Sequence, residues 1–302
     1  MRDIDVRRPR PSGRNNGEMG SRITSGSSAI RHLTSFLGNM LMVALSISCV
    51  FPVLWLLYSS LKTSSEFNRD IVSLPQAPQF GNYIDAWRVS HMGTYALNSL
   101  FNAVLSLALV LLFSFLIGYF LNRFRFPGRS LLYGLMLFGM LVPIYALLIP
   151  IFIQFKDLGL YNQRFTLVLP YVAFGMPFSV FLVESYLSGI PREMEEAAYI
   201  DGCPFLPMLF RIMMPLASPI LITIAILQFF SKWNEFPFAL VLINKEALKT
   251  IPIGLMNFSG QYSTDYPKKM AALVLAVLPV LALYVTNNKR IIEGMTAGAV
   301  KG

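Results

Sequence analysis

The 302-residue sequence predicts an all-α, polytopic membrane protein with six transmembrane helices. Hydrophobic residues make up 55% of the chain and charged residues only 14%, and the mean hydropathy is +0.56. A globular domain carries about 25% charged residues, so this chain lacks the polar side chains needed to cover a water-exposed body. Its apolar residues also gather into segments of about 20 residues, the length that crosses a hydrocarbon layer about 30 Å thick. Soluble enzymes and disordered chains are therefore excluded as classes.

Six apolar segments follow one another along the chain, with polar segments between them. They cover about residues 36–58, 97–121, 131–153, 165–186, 216–241 and 270–284. Several of these spans contain proline, among them Pro143 and Pro150, Pro170 and Pro177, Pro237, and Pro279. Each proline removes a backbone hydrogen bond and favours a kink. The kinks belong either to a pathway whose helices bend, or simply to the higher frequency of proline in membrane helices.

The distribution of Lys and Arg predicts that both termini are cytoplasmic. Residues 1–30 are predicted to form a disordered, basic cytoplasmic arm rich in Arg, Gly, Ser and Asn, and residues 31–302 the transmembrane domain. The loop after the second span, Asn122–Ser130, carries three arginines and no acid. A cleavable signal peptide is the competing interpretation, but the first apolar stretch is as long as a full span. Because the basic residues lie in loops and tails, the net charge of +9 does not indicate nucleic-acid binding.

Two ionisable residues, Lys232 and Glu235, lie within the fifth span. An ionisable group at membrane depth is costly and is a functional candidate, so Trp233, Asn234 and Glu235 are candidate residues lining a transport pathway. Alternatively, Lys232 and Glu235 neutralise each other, because residues three apart share a helix face. The two histidines lie outside the spans, which disfavours a proton-driven carrier. No catalytic or metal-binding motif is present, and Cys49 and Cys203 have no disulfide or metal-site spacing.

The segment between the fourth and fifth spans, about residues 188–215, predicts two short helices joined by a turn. Pro191 suits a first helical position, and Glu193, Glu195 and Glu196 would lie in early turns, where the helix dipole favours negative charge. Asp201 and Gly202 provide a stop, with Gly202 in a left-handed conformation. Pro204 can then begin a second helix, and Pro215 marks the entry to the fifth span.

Two features of this segment indicate docking to another protein. Ala197 and Ala198 are small enough to let the helix backbone approach a partner, and Glu196 offers a charge to an Arg or Lys. A groove that receives such a helix is a known mode of recognition. The alternative is an amphipathic connector lying at the membrane surface.

The same residues resemble the EAA signature of membrane subunits of ABC importers. Glu196-Ala197-Ala198 is followed by three residues, Gly202, nine residues, Ile212, one residue and Met214-Pro215. Only Met214 departs from the usual Leu, a change that conserves volume. Other stretches are similar to carbohydrate importers of the maltose type: Pro52–Trp55, Ser60–Thr63, Asn98-Ser99, Arg123–Arg129, Trp233–Phe236 and Gly294–Gly302.

This resemblance implies a type I ABC importer permease fold, and specifically the second six-span subunit of a sugar or oligosaccharide importer in a bacterial or archaeal plasma membrane. It implies a heterodimer with a related permease subunit, cytoplasmic ATP-binding subunits and an extracytoplasmic solute-binding protein. Glu196, Ala197, Ala198, Asp201 and Gly202 would then form the coupling helix that docks on the ATPase. The chain itself would be no enzyme and bind no cofactor, with ATP and Mg held by the partner ATPase. The alternatives are a non-sugar ABC importer and, further away, an ion-coupled secondary carrier.

Overall fold

The computed structural model describes residues 21–88, 91–258 and 265–299, with side chains from residue 34 to residue 287 in those ranges. Within them every regular element is helical and no strand occurs. The first four helices are α1 (Ser21–Ser59), α2 (Ser64–Arg69), α3 (Gly81–Arg88) and α4 (Met92–Arg123). The middle helices are α5 (Arg129–Gly139), α6 (Leu148–Asp157), α7 (Val168–Leu187), α8 (Glu193–Ile200) and α9 (Phe205–Met208). The last are α10 (Met214–Leu216), α11 (Ser218–Trp233), α12 (Pro237–Leu242), α13 (Ile251–Gly254) and α14 (Tyr266–Ala299).

Residues 1–55 form a first compact unit, whose described part is α1 up to Trp55. The predicted disorder of the arm lies outside the described residues for positions 1–20. The helix already begins at Ser21, so the last ten residues of the predicted arm are helical. Adding residues to the end of an existing helix costs far less free energy than starting a new helix. No proline interrupts α1 between Ser21 and Pro52. The span Thr34–Ser59 has a mean hydropathy of 2.4, and its side chains as far as Leu54 are exposed, as expected of a helix in lipid.

Residues 56–302 form the second unit, in which α4, α7, α11 and α14 pack side by side. The long contact between α4 and α7 depends on Gly118, because a Cβ there would lie 2.7 Å from the Cγ1 of Val183. Small residues commonly allow such close approach in membrane helix pairs. Two buried apolar clusters draw most of their residues from these helices and the segments beside them, and a third lies between α6, α7 and α12.

The six predicted spans correspond to four continuous apolar helices and two bent helix pairs. The continuous ones are Thr34–Ser59, Met92–Arg123, Val168–Leu187 and Tyr266–Asn287. The third span, predicted at about residues 131–153, is bent, as its prolines favour: Arg129–Gly139 and Ile144–Asp157 meet at 91°. Pro143 lies at that break with an extended backbone. A proline cannot donate a backbone hydrogen bond, and it disfavours helical geometry in the residue before it, so a helix commonly breaks at this point.

The fifth and sixth spans also differ from their predicted bounds. The fifth is interrupted, because α11 ends at Trp233 and α12 begins at Pro237, a residue suited to a first helical position. A second bend of 71° separates Phe205–Leu216 from α11. The sixth apolar span ends at Asn287, near the polar run at 287–290, while the helix that carries it, α14, continues to Ala299. The Asn287 amide donates to the carbonyl of Leu283 at 3.1 Å, which accommodates this polar residue within the helix.

Candidate functional site

The elbow, defined as residues 188–215, forms the predicted pair of short helices joined by a turn. Its first helix, α8, starts at Glu193 with Arg192 as the preceding cap residue, so Pro191 lies just outside the helix rather than at its first position. The three glutamates occupy the first turn, as predicted. Their charges face the positive end of the helix dipole, which stabilises the start of α8.

Gly202 ends α8 in the left-handed conformation that the sequence predicts, with φ of 74°. The backbone N–H of Gly202 donates to Tyr199 at 3.0 Å, and that of Cys203 donates to Ala198 at 3.0 Å. This pair of bonds is the Schellman arrangement, which satisfies the last carbonyls of a helix. The direction in which the chain leaves α8 is therefore set by Gly202, because other residues rarely adopt its backbone conformation.

The two faces of α8 differ in what they contact. Ala198 is 6% exposed and packs in the apolar cluster beneath the elbow, so its small size serves packing within this chain. Glu196 and Ala197 are exposed, and so are Tyr199 (82%) and Ile200 (84%). A short helix that leaves two large apolar side chains almost fully exposed offers a surface for another protein.

A partly buried ion pair attaches α8 to the end of α4. The Arg123 Nε atom donates to Glu195 Oε1, and the Arg123 Nη2 atom donates to the carbonyl of Ile190 at 2.9 Å. The hydroxyl of Tyr119, one turn earlier in α4, donates to the other oxygen of Glu195 at 2.8 Å. Burial raises the strength of such charge-assisted bonds, so α8 is held to α4 and not only to its own chain neighbours.

Aromatic packing attaches the second helix of the elbow to the same end of α4. The ring of Phe205 lies 6.2 Å from Tyr119, 6.1 Å from Phe120 and 6.3 Å from Phe124, measured between ring centroids. Such tilted and edge-on pairs add to the apolar area that they bury. Both helices of the elbow are thus bound to α4 by side chains that sequence reasoning did not pair.

A second candidate site is a cavity of about 510 Å³ between α7, α11 and the start of α12. Asn234 and Glu235, both predicted to line a pathway, lie in its wall together with Lys232. The remaining polar lining comes from Tyr145, Tyr171, Gln228 and Ser231, and the apolar lining is largely Phe174, Phe178, Leu227 and Phe238. The cavity combines aromatic faces with hydrogen-bonding groups, as ligand sites commonly do.

Glu235 lies in the break between α11 and α12 and accepts three hydrogen bonds. The hydroxyl of Tyr171 donates to Oε2 at 2.7 Å. The backbone N–H groups of Phe238 and Ala239 donate at 2.6 and 3.2 Å. Glu235 therefore caps the N-terminus of α12, where the helix dipole and the unpaired N–H groups favour a negative charge.

The predicted mutual neutralisation of Lys232 and Glu235 is wrong for the described residues, where no ion pair joins them within 4 Å. The Lys232 ammonium instead donates to the side-chain oxygen of Gln228, one turn earlier in α11. The i,i+3 rule fails because α11 ends at Trp233, so Glu235 no longer shares its face.

Trp233 does not line the cavity. Its side chain is 4% exposed, its ring stacks on Phe229 at 5.5 Å, and its indole N–H donates to the carbonyl of Ala276 at 3.0 Å. Adjacent helical residues point in directions about 100° apart, so Trp233 faces α14 while Lys232 faces the cavity. Trp233 therefore holds α11 against α14.

At the other end of α4, polar side chains hold the segment 246–254. Asn98 donates to the carbonyls of Ala247 and Lys249, both at 2.9 Å, and Ser99 accepts from the N–H of Ile251 at 2.9 Å. Tyr95 donates to Glu246, which also pairs with Lys249. The sequence alone indicates no role for Asn98 and Ser99 beyond their place in a motif. In the structure their contacts anchor the segment 246–254 to α4.

The chain is similar to known proteins in family, in sequence and in fold. Residues 111–288 match the family described as binding-protein-dependent transport system inner membrane component. The sulfoquinovosyl glycerol transport system permease protein of Agrobacterium fabrum is 36% identical over 85% of this chain and 91% of its own length. The diacetylchitobiose uptake system permease protein of Streptomyces coelicolor is 35% identical, with 88% of each chain covered.

A solved structure has the same fold. One chain of a bacterial ABC transporter involved in the import of the acidic polysaccharide alginate superposes with a TM-score of 0.76. It covers 85% of this chain and 96% of its own length at 24% identity. This likeness shows that the two chains share a fold.

Proposed function

This chain belongs to the family of inner membrane components of binding-protein-dependent transport systems, and from that premise we propose that it passes a sugar or oligosaccharide through the membrane. It is a membrane-spanning permease subunit of an ABC importer, a transport component rather than an enzyme. The proposal of a sugar substrate depends on two relatives, which are permease proteins of a sulfoquinovosyl glycerol transport system and of a diacetylchitobiose uptake system. Each matches over more than four fifths of this chain.

The proposed partners are a second, related permease subunit, two ATP-binding subunits or domains and a solute-binding protein. The family description names a binding-protein-dependent system, which supports the last of these. ATP and Mg would be bound by the ATP-binding subunits, and this chain would bind neither. The segment 246–254, at the end of α4 away from the elbow, would face the solute-binding protein. Both termini and the elbow would be cytoplasmic.

The elbow would transmit the work of ATP hydrolysis to the membrane helices. Glu196 would pair with a basic residue of the ATPase, and Ala197 would let the helix backbone approach it closely. Tyr199 and Ile200 add exposed apolar surface to the same helix. Asp201 and Gly202 set the exit of the chain from α8, and Ala198 seats the helix on this chain's own core. ATP binding would favour one of two packings of similar energy, and hydrolysis would restore the other.

Disulfide or thiol crosslinking from Ala197→Cys to the ATPase tests this docking. The variant is made after Cys49 and Cys203 have been replaced by alanine, and the whole transporter is purified with its partner subunits. We expect a crosslink to the ATP-binding subunit whose yield changes between nucleotide-free and ATP-bound states. A matched control is Asn244→Cys, an exposed position beyond α12, which should give no crosslink to that subunit.

Two results would contradict the proposal. The docking role fails if Ala197→Cys reaches no ATP-hydrolysing subunit in any nucleotide state. The orientation fails if a membrane-impermeant thiol reagent added outside intact cells labels Ala197→Cys and leaves Asn244→Cys unlabelled. Uptake driven by an ion gradient without ATP would favour a secondary carrier, and uptake of amino acids or phosphate in place of saccharides would favour a non-sugar importer.

A further inference from the structure

Lys232 is a buried cation with a single neutral partner among the described residues. Its side chain is 6% exposed, and its ammonium donates to the amide oxygen of Gln228. An ammonium carries three donors, so this one bond leaves the other two available. A lysine at membrane depth is expensive to maintain, and such residues commonly mark a substrate or ion path.

The surroundings of Lys232 hold it in place. The Gln228 Nε2 atom donates to the carbonyl of Gly175 and to the hydroxyl of Ser179, each at 3.1 Å. These two bonds orient the amide so that its oxygen faces Lys232. A Cβ at Gly175 would lie 3.0 Å from the Lys232 Nζ atom and 2.8 Å from the Gln228 Oε1 atom. Two side chains, Gln228 and Ser179, and one glycine therefore position the ammonium in the cavity wall.

The other charge in the cavity wall is already satisfied. Glu235 accepts bonds from Tyr171 and from two backbone N–H groups at the start of α12. Its negative charge is thus balanced by a helix N-terminus and a hydroxyl. What the cavity lacks is an acceptor for Lys232, and a buried charge is best satisfied by an opposite charge.

We propose that the Lys232 ammonium is an anion-binding group of the cavity, and that it takes the carboxylate or sulfonate of an acidic saccharide. The proposal rests on the proposed function, because it treats the cavity as part of the sugar pathway. Tyr145 is 75% exposed, and Phe178 also reaches the surface, so these rings offer flat apolar faces to a sugar ring beside the ammonium.

Equilibrium binding to the assembled, nucleotide-free transporter tests this proposal, with cellobiouronate and cellobiose as a matched acidic and neutral pair of radiolabelled probes. We expect the wild type to bind cellobiouronate roughly tenfold more tightly than cellobiose. Lys232→Met should bring the two affinities to within about twofold of each other by weakening only the acidic probe. Lys232→Arg should keep part of the preference, because it keeps the charge. Lys156→Met, the same change at an exposed lysine outside the cavity wall, should leave the preference unchanged.

Three outcomes would overturn the anion-binding role. They are equal affinities in the wild type, an unchanged preference in Lys232→Met, and a loss of the partner permease from purified Lys232→Met. The last result would mean that Lys232 pairs with a carboxylate of the partner. ATP-driven saccharide uptake, measured on the same preparations, reports separately on the proposed function. The proposed function stands if neutral saccharides are taken up without any acidic preference, and fails if no saccharide is taken up.

Discussion

Arg123 and Glu195 form an ion pair whose side chains are only 7% and 17% exposed, although 72 positions separate them in the chain. The pair joins the end of α4 to the first turn of α8. Tyr119 and the carbonyl of Ile190 complete the same network. Through these contacts α8 is attached to α4, and α4 in turn packs along α7.

Breaking this pair should uncouple transport from ATP hydrolysis. Removing one partner of a partly buried charge pair leaves the other charge poorly satisfied, at a cost of about 1–3 kcal/mol. We expect Arg123→Ala and Glu195→Ala each to lower the solute carried per ATP hydrolysed by roughly tenfold, because that cost falls on the positioned elbow. The measurement is uptake and ATP hydrolysis on the same proteoliposomes.

The exchange variant Arg123→Glu with Glu195→Arg separates positioning from folding. It should recover part of the coupling that each single variant loses, because the pair is restored in reverse. Arg125→Ala, which removes a nearby exposed arginine, should couple like the wild type. Normal coupling in Glu195→Ala would show that α8 does not depend on this pair.

Replacing Gly202 should disturb the elbow through its backbone alone. A Cβ at Gly202 meets no atom within 4 Å, so the cost of Gly202→Ala is that of a left-handed conformation, about 1–2 kcal/mol. Gly202→Asn should cost less, because asparagine tolerates this conformation better. We expect the transport rate to be highest in the wild type, lower in Gly202→Asn and lowest in Gly202→Ala. The amount of protein inserted into the membrane should not change. Gly81→Ala, at an open position without positive φ, is the matched control. Equal transport by all three Gly202 forms would contradict a role for this turn.

Removing the cap of α12 should loosen the cavity wall. Glu235→Ala deletes the acceptor for two backbone N–H groups, a loss worth about 1–2 kcal/mol for a helix cap. We expect faster hydrogen exchange across Pro237–Leu242 and reduced uptake. Tyr171→Phe removes one donor to Glu235 and should have a smaller effect of the same kind. Asn234→Ala leaves the cap in place and serves as the control for the hydrogen exchange of α12. Unchanged exchange across α12 in Glu235→Ala would show that the cap is dispensable.

The contribution of Glu246 to stability should depend on pH. Hydrogen bonds from Lys249 and then from Tyr95 lower the pKa of Glu246 below its ordinary value of 4.5. A lowered folded-state pKa means that the contribution is complete above pH 4.5 and is lost as the pH falls through the lower, folded-state pKa. The difference in thermal unfolding temperature between the wild type and Glu246→Gln should therefore be larger at neutral pH than in acid. A difference that does not change with pH would contradict this linkage.

The features predicted well from the sequence are those with local causes. Six apolar stretches of membrane length correspond to four helices and two bent pairs, because span length depends only on consecutive apolar residues. The stop at Gly202 follows from the residue's own backbone freedom. The EAA resemblance depends on spacing, and the family match and the permease relatives confirm the importer family.

The features that were missed depend on distant residues. In the sequence, Arg123 indicates only the orientation of a loop, while in the fold it holds Glu195. Gln228 lies four residues before Lys232, a spacing that could have revealed their bond, but its orientation is set by α7. Trp233 shares a motif with Asn234 and Glu235, which predicts a common role, but its side chain lies on the face of α11 that contacts α14.

The sequence by itself determined that the chain lies in a membrane, how many apolar segments it has, and where the elbow turns, because composition and backbone preference act over a few residues. Only the tertiary structure decided which helices break, that Glu235 caps α12, and that Lys232 is left facing the cavity. These outcomes depend on which side chains meet when helices distant in sequence pack together, and a buried charge is bound by whichever groups that packing brings within reach.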